Sequence, residues 1–216
     1  IKQRTARDHV LMDSVRGTGV FLSTNTTAAD QTNGGTGSSS LGIQSFDSDG
    51  FTLGTGTGVN SNATAYIAWA WDSGTSTVSN TDGNISSNVR ANTSAGISIV
   101  TYTGNGSIGQ TIGHGLSAAP YMIWAKNRDR TDRWGVYHRA VGGGNTLVFN
   151  TNDAPTGGTG IWGNTDPTSS VFTVSNDPEA NRSGEDYVAY CFAPVEGFSA
   201  IGEYTGTNST DDDSPF

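Results

Sequence analysis

Three histidines, one cysteine and twenty acidic residues are the side chains of this sequence that could take part in catalysis. A nucleophile must lie beside a general base, and certain short motifs produce that arrangement. The sequence holds no Gly-x-Ser-x-Gly elbow, no His-x-x-x-His zinc pair and no phosphate-binding glycine loop. Cys191 lies in the apolar run YVAYCF, which favours a buried thiol over a nucleophile. The sequence therefore predicts a protein that is not an enzyme.

Two tryptophans and one histidine are the candidates for contact with a ligand: Trp134, His138 and Trp162. Trp162 lies between Gly160 and Gly163, and a tryptophan in a loop can stack on a sugar ring or anchor a protein interface. The alternative for each tryptophan is packing in a core, which is the more common fate of large aromatic side chains. Contact with a ligand is therefore the hypothesis to test at these three positions.

Two acidic segments are candidates for a metal site. In Asp47–Gly50, alternate carboxylates could meet one hard cation, but the later ligands of a calcium loop are missing. A tight turn between strands accounts for the same four residues. The run Asp211–Asp213 is typical of a solvated segment, because adjacent like charges repel each other. We expect neither a metal nor a cofactor.

The composition indicates an all-β protein with an acidic surface. The 216 residues include 30 glycines and only 33% hydrophobic residues, and runs of helix-forming residues are missing. A formal net charge of −9 argues against binding to a nucleic acid, which requires a basic surface. One cysteine excludes a framework of internal disulfides. No stretch approaches the roughly 20 apolar residues of a spanning helix, so we expect no membrane insertion.

An internal repeat is the strongest feature of the sequence. Five segments of the first half return in the same order in the second half. The pairs are Lys2–Arg4 with Lys126–Arg128, Leu22–Asn25 with Phe149–Asn152, Phe51–Leu53 with Phe172–Val174, Tyr66–Trp71 with Tyr187–Phe192, and Gly96–Gly104 with Gly197–Gly206. The order makes chance similarity a poor explanation.

The repeat predicts three units. Residues 1–95 form a first β-sandwich that lacks its opening strands, and its polar stretch near 74–95 is a linker or a long surface loop. Residues 96–197 form a second, complete sandwich. Residues 198–216 begin a third copy or provide a strand that completes a neighbouring unit. Association of chains is therefore expected, because an unpaired sheet edge is a liability in a monomer.

Alternation of side chains predicts that Tyr66–Trp71 and Tyr187–Phe192 are equivalent central strands. In the second of them, Val188, Tyr190 and Phe192 would face one side of the sheet, and the residues between them the other. Both faces are largely apolar, as in a strand that is covered on both sides. The tryptophans of the first strand are accordingly expected to pack in a core.

Seven motifs make the sequence resemble a family of tandem-repeat structural proteins from tailed, mostly marine bacteriophages. They are DSVRG (Asp13–Gly17), SFDSDGFTLG (Ser45–Gly54), SIVTYTGNG (Ser98–Gly106), GHGL (Gly113–Leu116), VYH (Val136–His138), DPTSSVFTV (Asp166–Val174) and YVAYCF (Tyr187–Phe192). The resemblance implies tandem concanavalin-like or jelly-roll-like β-sandwich modules. It also implies a place on the virion surface or in an extracellular appendage such as a tail fibre.

Three hypotheses for function follow. The first is a non-enzymatic virion structural protein with an adhesive or assembly role, whose partners are other copies of itself, other virion proteins or a host-surface glycan. The second is a carbohydrate-binding module or adhesin. The third and least favoured is a glycan-cleaving enzyme, which would need two carboxylates about 5–10 Å apart.

Overall fold

The computed structural model describes residues 1–32, 42–157 and 160–206 and shows an all-β protein. Asp211–Asp213 lies outside the described residues. Within the described residues, seventeen strands form five sheets, and there is one short helix. The elements are β1 Lys2–Gln3, β2 Leu11–Asp13, β3 Gly17–Leu22, β4 Gln31–Thr32, β5 Ile43–Phe46, β6 Phe51–Leu53, β7 Tyr66–Ile67, β8 Val78–Asn80, β9 Ser87–Asn92, β10 Ile97–Thr103, β11 Gln110–Gly113, β12 Met122–Asn127, β13 Gly135–His138, β14 Asn145–Val148, β15 Thr156–Gly157, β16 Val171–Val174, α1 Pro178–Asn181 and β17 Asp186–Phe192.

The largest element is an eight-stranded antiparallel sheet with the strand order β15-β14-β13-β12-β17-β10-β9-β8. Strand β17 lies inside it, paired with β12 on one side and β10 on the other. The predicted alternation along β17 is confirmed. Tyr187, Ala189 and Cys191 lie in one hydrophobic core, and Val188 and Tyr190 lie in a second, against which Phe192 packs.

The two cores cover the two faces of this sheet. The first core is closed by β11, β16 and α1, which contribute Ile112, Phe172 and Ala180. The second core is closed by the N-terminal segment, which contributes Leu22 and packs Leu11 and Val15 against the sheet. Fully burying one large apolar side chain contributes about 1.5–3 kcal/mol. Several such side chains lie in each core, so their burial stabilises both layers. The result is a sandwich-like arrangement in which β17 is buried on both faces.

Residues 74–95 do not form the predicted linker or loop. They contain β8 and β9, which extend the eight-stranded sheet beyond β10. In β9, Ser87 and Val89 are buried while Asn88 between them is exposed, which is the period-two pattern of a half-buried strand. The polar composition concealed this pattern, because only one side of β9 faces the core.

In the N-terminal segment, residues 1–73, the described residues form three small sheets: β2-β3-β4, β1-β7 and β5-β6. The prediction of a central strand over Tyr66–Trp71 is wrong. Only Tyr66 and Ile67 are paired, and Ile67 is 47% exposed while the matching Val188 is fully buried. The physical reason is that β7 pairs with β1 alone among the described residues, so nothing extends the strand or covers it.

The pairing of β1 with β7 nevertheless follows the same register as the pairing of β12 with β17. In β1-β7, Lys2 lies opposite Ile67 and Gln3 opposite Tyr66. The sequence matches of these residues show the same partners in β12-β17: Lys126 opposite Val188, and Asn127 opposite Tyr187.

The loops before β7 and β17 contain the same hydrogen bonds. In each case a tyrosine in the strand that follows the loop fixes it: its hydroxyl donates to a carbonyl nine residues earlier and accepts from an amide five residues earlier. These bonds join Tyr66 to Thr57 (2.9 Å) and Ser61 (2.9 Å), and Tyr187 to Pro178 (2.6 Å) and Arg182 (2.8 Å). Both tyrosines therefore fix a loop against the strand that follows it.

Candidate functional site

A cleft of about 1110 Å³ lies between the N-terminal segment and one face of the eight-stranded sheet. The sheet contributes one wall of the cleft, which contains Ile97, Ile99, Trp124, Tyr190 and Phe192. The N-terminal segment contributes a second apolar wall, which contains Ile1, Leu11, Ile43, Phe46, Phe51, Trp69 and Trp71. The cleft has the size of a ligand-binding site.

Aromatic side chains from both walls meet in the cleft. The Trp124 ring lies 4.7 Å from Phe149 and 4.6 Å from Phe192, measured between centroids. Trp71 meets Trp124 edge-on at 6.4 Å, yet it remains 52% exposed, and Trp69 beside it is 62% exposed. Exposed aromatic rings in a cleft can stack on the apolar face of a sugar ring or bury apolar side chains of a partner.

A buried network of charges lies beneath the cleft and joins the N-terminal segment to the large sheet. Arg16 donates from Nε to Asp13 Oδ2 (2.6 Å), from Nη1 to Asp30 Oδ1 (2.8 Å) and from Nη2 to the Tyr190 hydroxyl (2.9 Å). Tyr190 in turn donates to Asp13 Oδ2 at 2.7 Å, and Arg128 donates to Asp30 Oδ2 at 2.8 Å. The side chains of Asp13 and Arg16 are almost completely buried, so this ion pair is shielded from water, while Asp30 and Arg128 are partly exposed.

Electrostatics keep this network charged. Burial alone would raise the pKa of Asp13, but the Arg16 guanidinium and the Tyr190 hydroxyl lower it below its ordinary value. Burial acts to lower the pKa of Arg16, and Tyr190, Asp13 and Asp30 raise it above its ordinary value. Burial raises the pKa of Tyr190 well above its usual range. Asp13 and Arg16 therefore form a fixed ion pair at neutral pH, because the pKa of the acid is lowered and that of the base is raised.

An acidic hairpin forms one rim of the cleft. Asp47–Gly50 is the turn between β5 and β6, as predicted, and the amide of Asp47 donates to the Gly50 carbonyl at 2.9 Å. Hydrogen bonds from the Ser45 and Thr52 hydroxyls lower the pKa of Asp47. No group of three or more metal-ligating side chains occurs in the described parts of the chain. The hairpin supplies negative charge beside the aromatic wall.

The tryptophans that were candidates for a ligand site are both buried. Trp134 lies in the second core, 0% exposed, and its indole Nε1 donates to the Ser23 carbonyl at 3.0 Å. Trp162 lies in the first core, 1% exposed, where its ring meets Tyr137 and Phe172. The packing alternative therefore describes both residues, and they lie on opposite faces of the sheet.

His138 and Cys191 complete the residues that the sequence singled out. His138 ends β13, half-buried, and its Nδ1 accepts from the amide of Ala140 at 3.2 Å. Cys191 is fully buried in the first core, and burial raises the pKa of its thiol to about 12. The prediction of a buried, structural cysteine is confirmed. The structure does not bring Trp134, His138 and Trp162 together into one site, because Trp134 and Trp162 lie in different cores.

The residues that do line the cleft were not predicted as a site. Trp69 and Trp71 were expected in a core, and Trp124 and Phe149 were not considered for ligand contact. One signal in the sequence could have identified Trp69 and Trp71 as exposed: their predicted strand, Tyr66–Trp71, belongs to the copy of the repeat that lacks its opening strands. A strand with no partner on one side leaves its aromatic side chains uncovered.

The fold and the cleft define a class: an all-β, sandwich-like protein whose large sheet is closed on one face by an open N-terminal segment. No helix among the described residues has the length and apolar character needed to cross a membrane. The chain belongs to a family described as a domain of unknown function, DUF7483, and the match covers residues 1–216. Comparisons with curated proteins and with solved structures gave no match.

Proposed function

We propose that this chain is a non-enzymatic structural protein of a tailed-phage virion, acting in a fibre, tail appendage or capsid-surface decoration. Its units are tandem concanavalin-like or jelly-roll-like β-sandwich modules, and its role is assembly or adhesion. The partners are other copies of the chain or other virion proteins on the virion surface. The acidic surface makes a nucleic acid an unsuitable partner.

One observation carries the proposal: β1 and β7 pair in the same register as β12 and β17, but among the described residues β7 has no neighbour on its other side. The register shared by β1-β7 and β12-β17 supports a duplicated module. The open edge of β7 and the exposed Trp69 and Trp71 favour completion by another polypeptide. A module of this kind suits a repetitive assembly, where multivalency strengthens weak contacts.

Immunogold labelling tests the virion location. Antibodies raised against the purified chain are applied to phage particles whose genome encodes it, and the grids are examined by negative-stain electron microscopy. Gold at one defined structure of the particle supports the proposal. Particles without gold, together with the absence of the chain from purified virions by mass spectrometry, would refute it.

Glycan binding at the cleft is a second candidate, favoured by the exposed Trp69 and Trp71 beside the acidic Asp47–Gly50 hairpin. A glycan array probed with the wild-type chain tests it, and Trp69→Ala and Trp71→Ala should remove any signal. Phe198→Ala is the matched control, because Phe198 is exposed but does not line the cleft. A blank array, or a signal that survives both tryptophan substitutions, would refute it.

A further inference from the structure

The open edge of β7 has a counterpart in the large sheet that is filled. Strand β17, which matches β7 in sequence, pairs with β12 on one side and with β10 on the other. Strand β7 pairs with β1, which matches β12, and the position that corresponds to β10 is not occupied by any described residue. Beyond Ile67, residues 68–71 are exposed and belong to no strand. The missing element is therefore a strand that resembles β10.

The C-terminal part of the same chain contains such a sequence. Gly197-Phe198-Ser199-Ala200-Ile201 matches Gly96-Ile97-Ser98-Ile99-Val100, which begins β10. The two glycines share a left-handed backbone, with φ of 74° at Gly197 and 69° at Gly96. Residues 200–206 belong to no strand, and Phe198 is 71% exposed. We call residues 197–206 the tail.

We propose that the tail of one copy of this chain pairs with the β7 edge of a second copy, as β10 pairs with β17. The β10-β17 register places Ser98 opposite Cys191 and Val100 opposite Ala189. Transferred to the matching residues, it places Ser199 opposite Ala70 and Ile201 opposite Ala68. The pairing extends β7 through residue 71 and makes it antiparallel to the tail.

The added strand also provides the side chains that the open module lacks. In β10, Val100 enters the first core, and Ile99 enters the second. The tail carries Ile201 at the first of these positions and Phe198 at its start, where it lies opposite Trp71. Both tail residues are apolar, and the edge that receives them is flanked by exposed aromatic rings. The tail therefore matches the edge in main-chain register and in side-chain chemistry.

The turn at the end of β17 favours a second copy over the same chain as the donor. Ala193 donates to the Gly96 carbonyl at 2.8 Å, and Phe198 and Ser199 donate to the Val195 carbonyl at 3.0 and 2.9 Å. These bonds hold the start of the tail at its own β17, and no pairing among the described residues joins the tail to its own β7. Donor and acceptor are different surfaces, so the contact is head-to-tail and can continue from copy to copy.

Cross-linking between two single-cysteine variants tests the register. Ala70→Cys and Ser199→Cys are purified separately, mixed, oxidised and run on a non-reducing gel. The inference rests on the assembly role proposed above, but it does not need a virion location, which immunogold labelling tests independently. Both positions are exposed, and the native Cys191 does not compete because its thiol is buried. We expect a covalent dimer in the mixture.

The control mixture is Ser199→Cys with Ile67→Cys, whose positions lie three residues out of register, and it should give at least tenfold less dimer. The double variant Ala70→Cys/Ser199→Cys should give covalent oligomers and little intrachain disulfide. Equal cross-linking of both mixtures, or a purely intrachain disulfide in the double variant, would overturn the inference.

Sedimentation velocity gives an independent readout. The wild-type chain should associate as its concentration rises, and Ile201→Asp should remain monomeric at concentrations where the wild type associates. Circular dichroism checks that the variant is folded, which we expect because Ile201 lies outside both cores. A wild-type chain that stays monomeric and does not cross-link refutes strand donation, and gold labelling of the virion would still stand.

Discussion

Replacing Arg16 by methionine removes the cation at the centre of the buried network while keeping most of the side-chain volume. Asp13 and Asp30 then lose their shared partner, and the Asp13 carboxylate stays buried without its counter-charge. Breaking a buried ion pair on one side costs about 3–5 kcal/mol, which is a large share of the roughly 5–15 kcal/mol that stabilises a domain. We expect the free energy of unfolding of Arg16→Met at pH 7 to fall by about that amount.

A double variant separates the cost of the unpaired Asp13 carboxylate from the cost of lost packing around Arg16. Asp13→Asn keeps an oxygen that can accept from the amides of Val15 and Arg16, as Asp13 Oδ1 does at 3.0 and 2.8 Å. Arg16→Met/Asp13→Asn should therefore be more stable than Arg16→Met alone, by about 1–3 kcal/mol, because no charge remains unpaired at position 13.

The loss in free energy of unfolding caused by Arg16→Met should also depend on pH. In the wild type, the pKa of Asp13 is lowered, so its contribution to stability is present above the ordinary pKa of an aspartate and is lost as pH falls below it. Without Arg16, burial dominates and raises the pKa of Asp13, so protonation on acidification relieves the penalty. The gap between wild type and variant should shrink from pH 7 to pH 4.5.

Urea unfolding followed by tryptophan fluorescence measures these differences, since Trp134 is buried beside Tyr190. The matched control is Arg130→Met, which breaks an ion pair to Glu185 from a half-exposed arginine and should cost at most about 1 kcal/mol. Equal losses for the two arginine variants, or a deficit that does not change with pH, would refute the view that a desolvated charge pair joins the two parts.

Three further predictions concern the cores and the repeated loop. Cys191 should resist modification by Ellman's reagent in the native chain and react in urea, because burial raises its pKa to about 12. Tyr187→Phe should cost about 1–3 kcal/mol in urea unfolding, and Tyr66→Phe should cost less, because the Tyr66 hydroxyl bonds are more exposed. Burial lowers the pKa of His114, whose Nδ1 accepts from a buried amide. The stability of the wild type should therefore fall as pH drops below about 6.5, the ordinary pKa of histidine. His114→Gln should show a smaller fall, and equal dependence of stability on pH in the two proteins would contradict this.

Much of the large sheet could be predicted from the sequence, because its strands carry complete patterns. The alternation of residues along β17 predicted which side chains face each side of the sheet, and the apolar run around Cys191 predicted that its thiol is buried. The turn at Asp47–Gly50 was also predictable from its residue types. Each of these features depends on neighbours in the sequence, which local patterns describe well.

The errors came where a structure depends on a distant partner. Strand β9 looked polar because its outward residues Asn88, Arg90 and Asn92 are polar and one inward residue is Ser87, which is buried only against the rest of the sheet. Trp134 looked like a loop residue, and it is buried because the N-terminal segment lies over it and its indole bonds to Ser23. Local composition contains no information about which layer will cover such a side chain.

The amino-acid sequence by itself determined the class of structure, the faces of β17 and the matched segments of the two halves. Only the tertiary structure decided that β7 ends after Ile67, that Trp69 and Trp71 stay exposed and that a cleft separates the two walls. The physical reason is that a strand is stable only when neighbouring strands satisfy its backbone groups and cover its side chains. Alternation shows what a strand would bury, and the presence of a neighbour decides whether it does so.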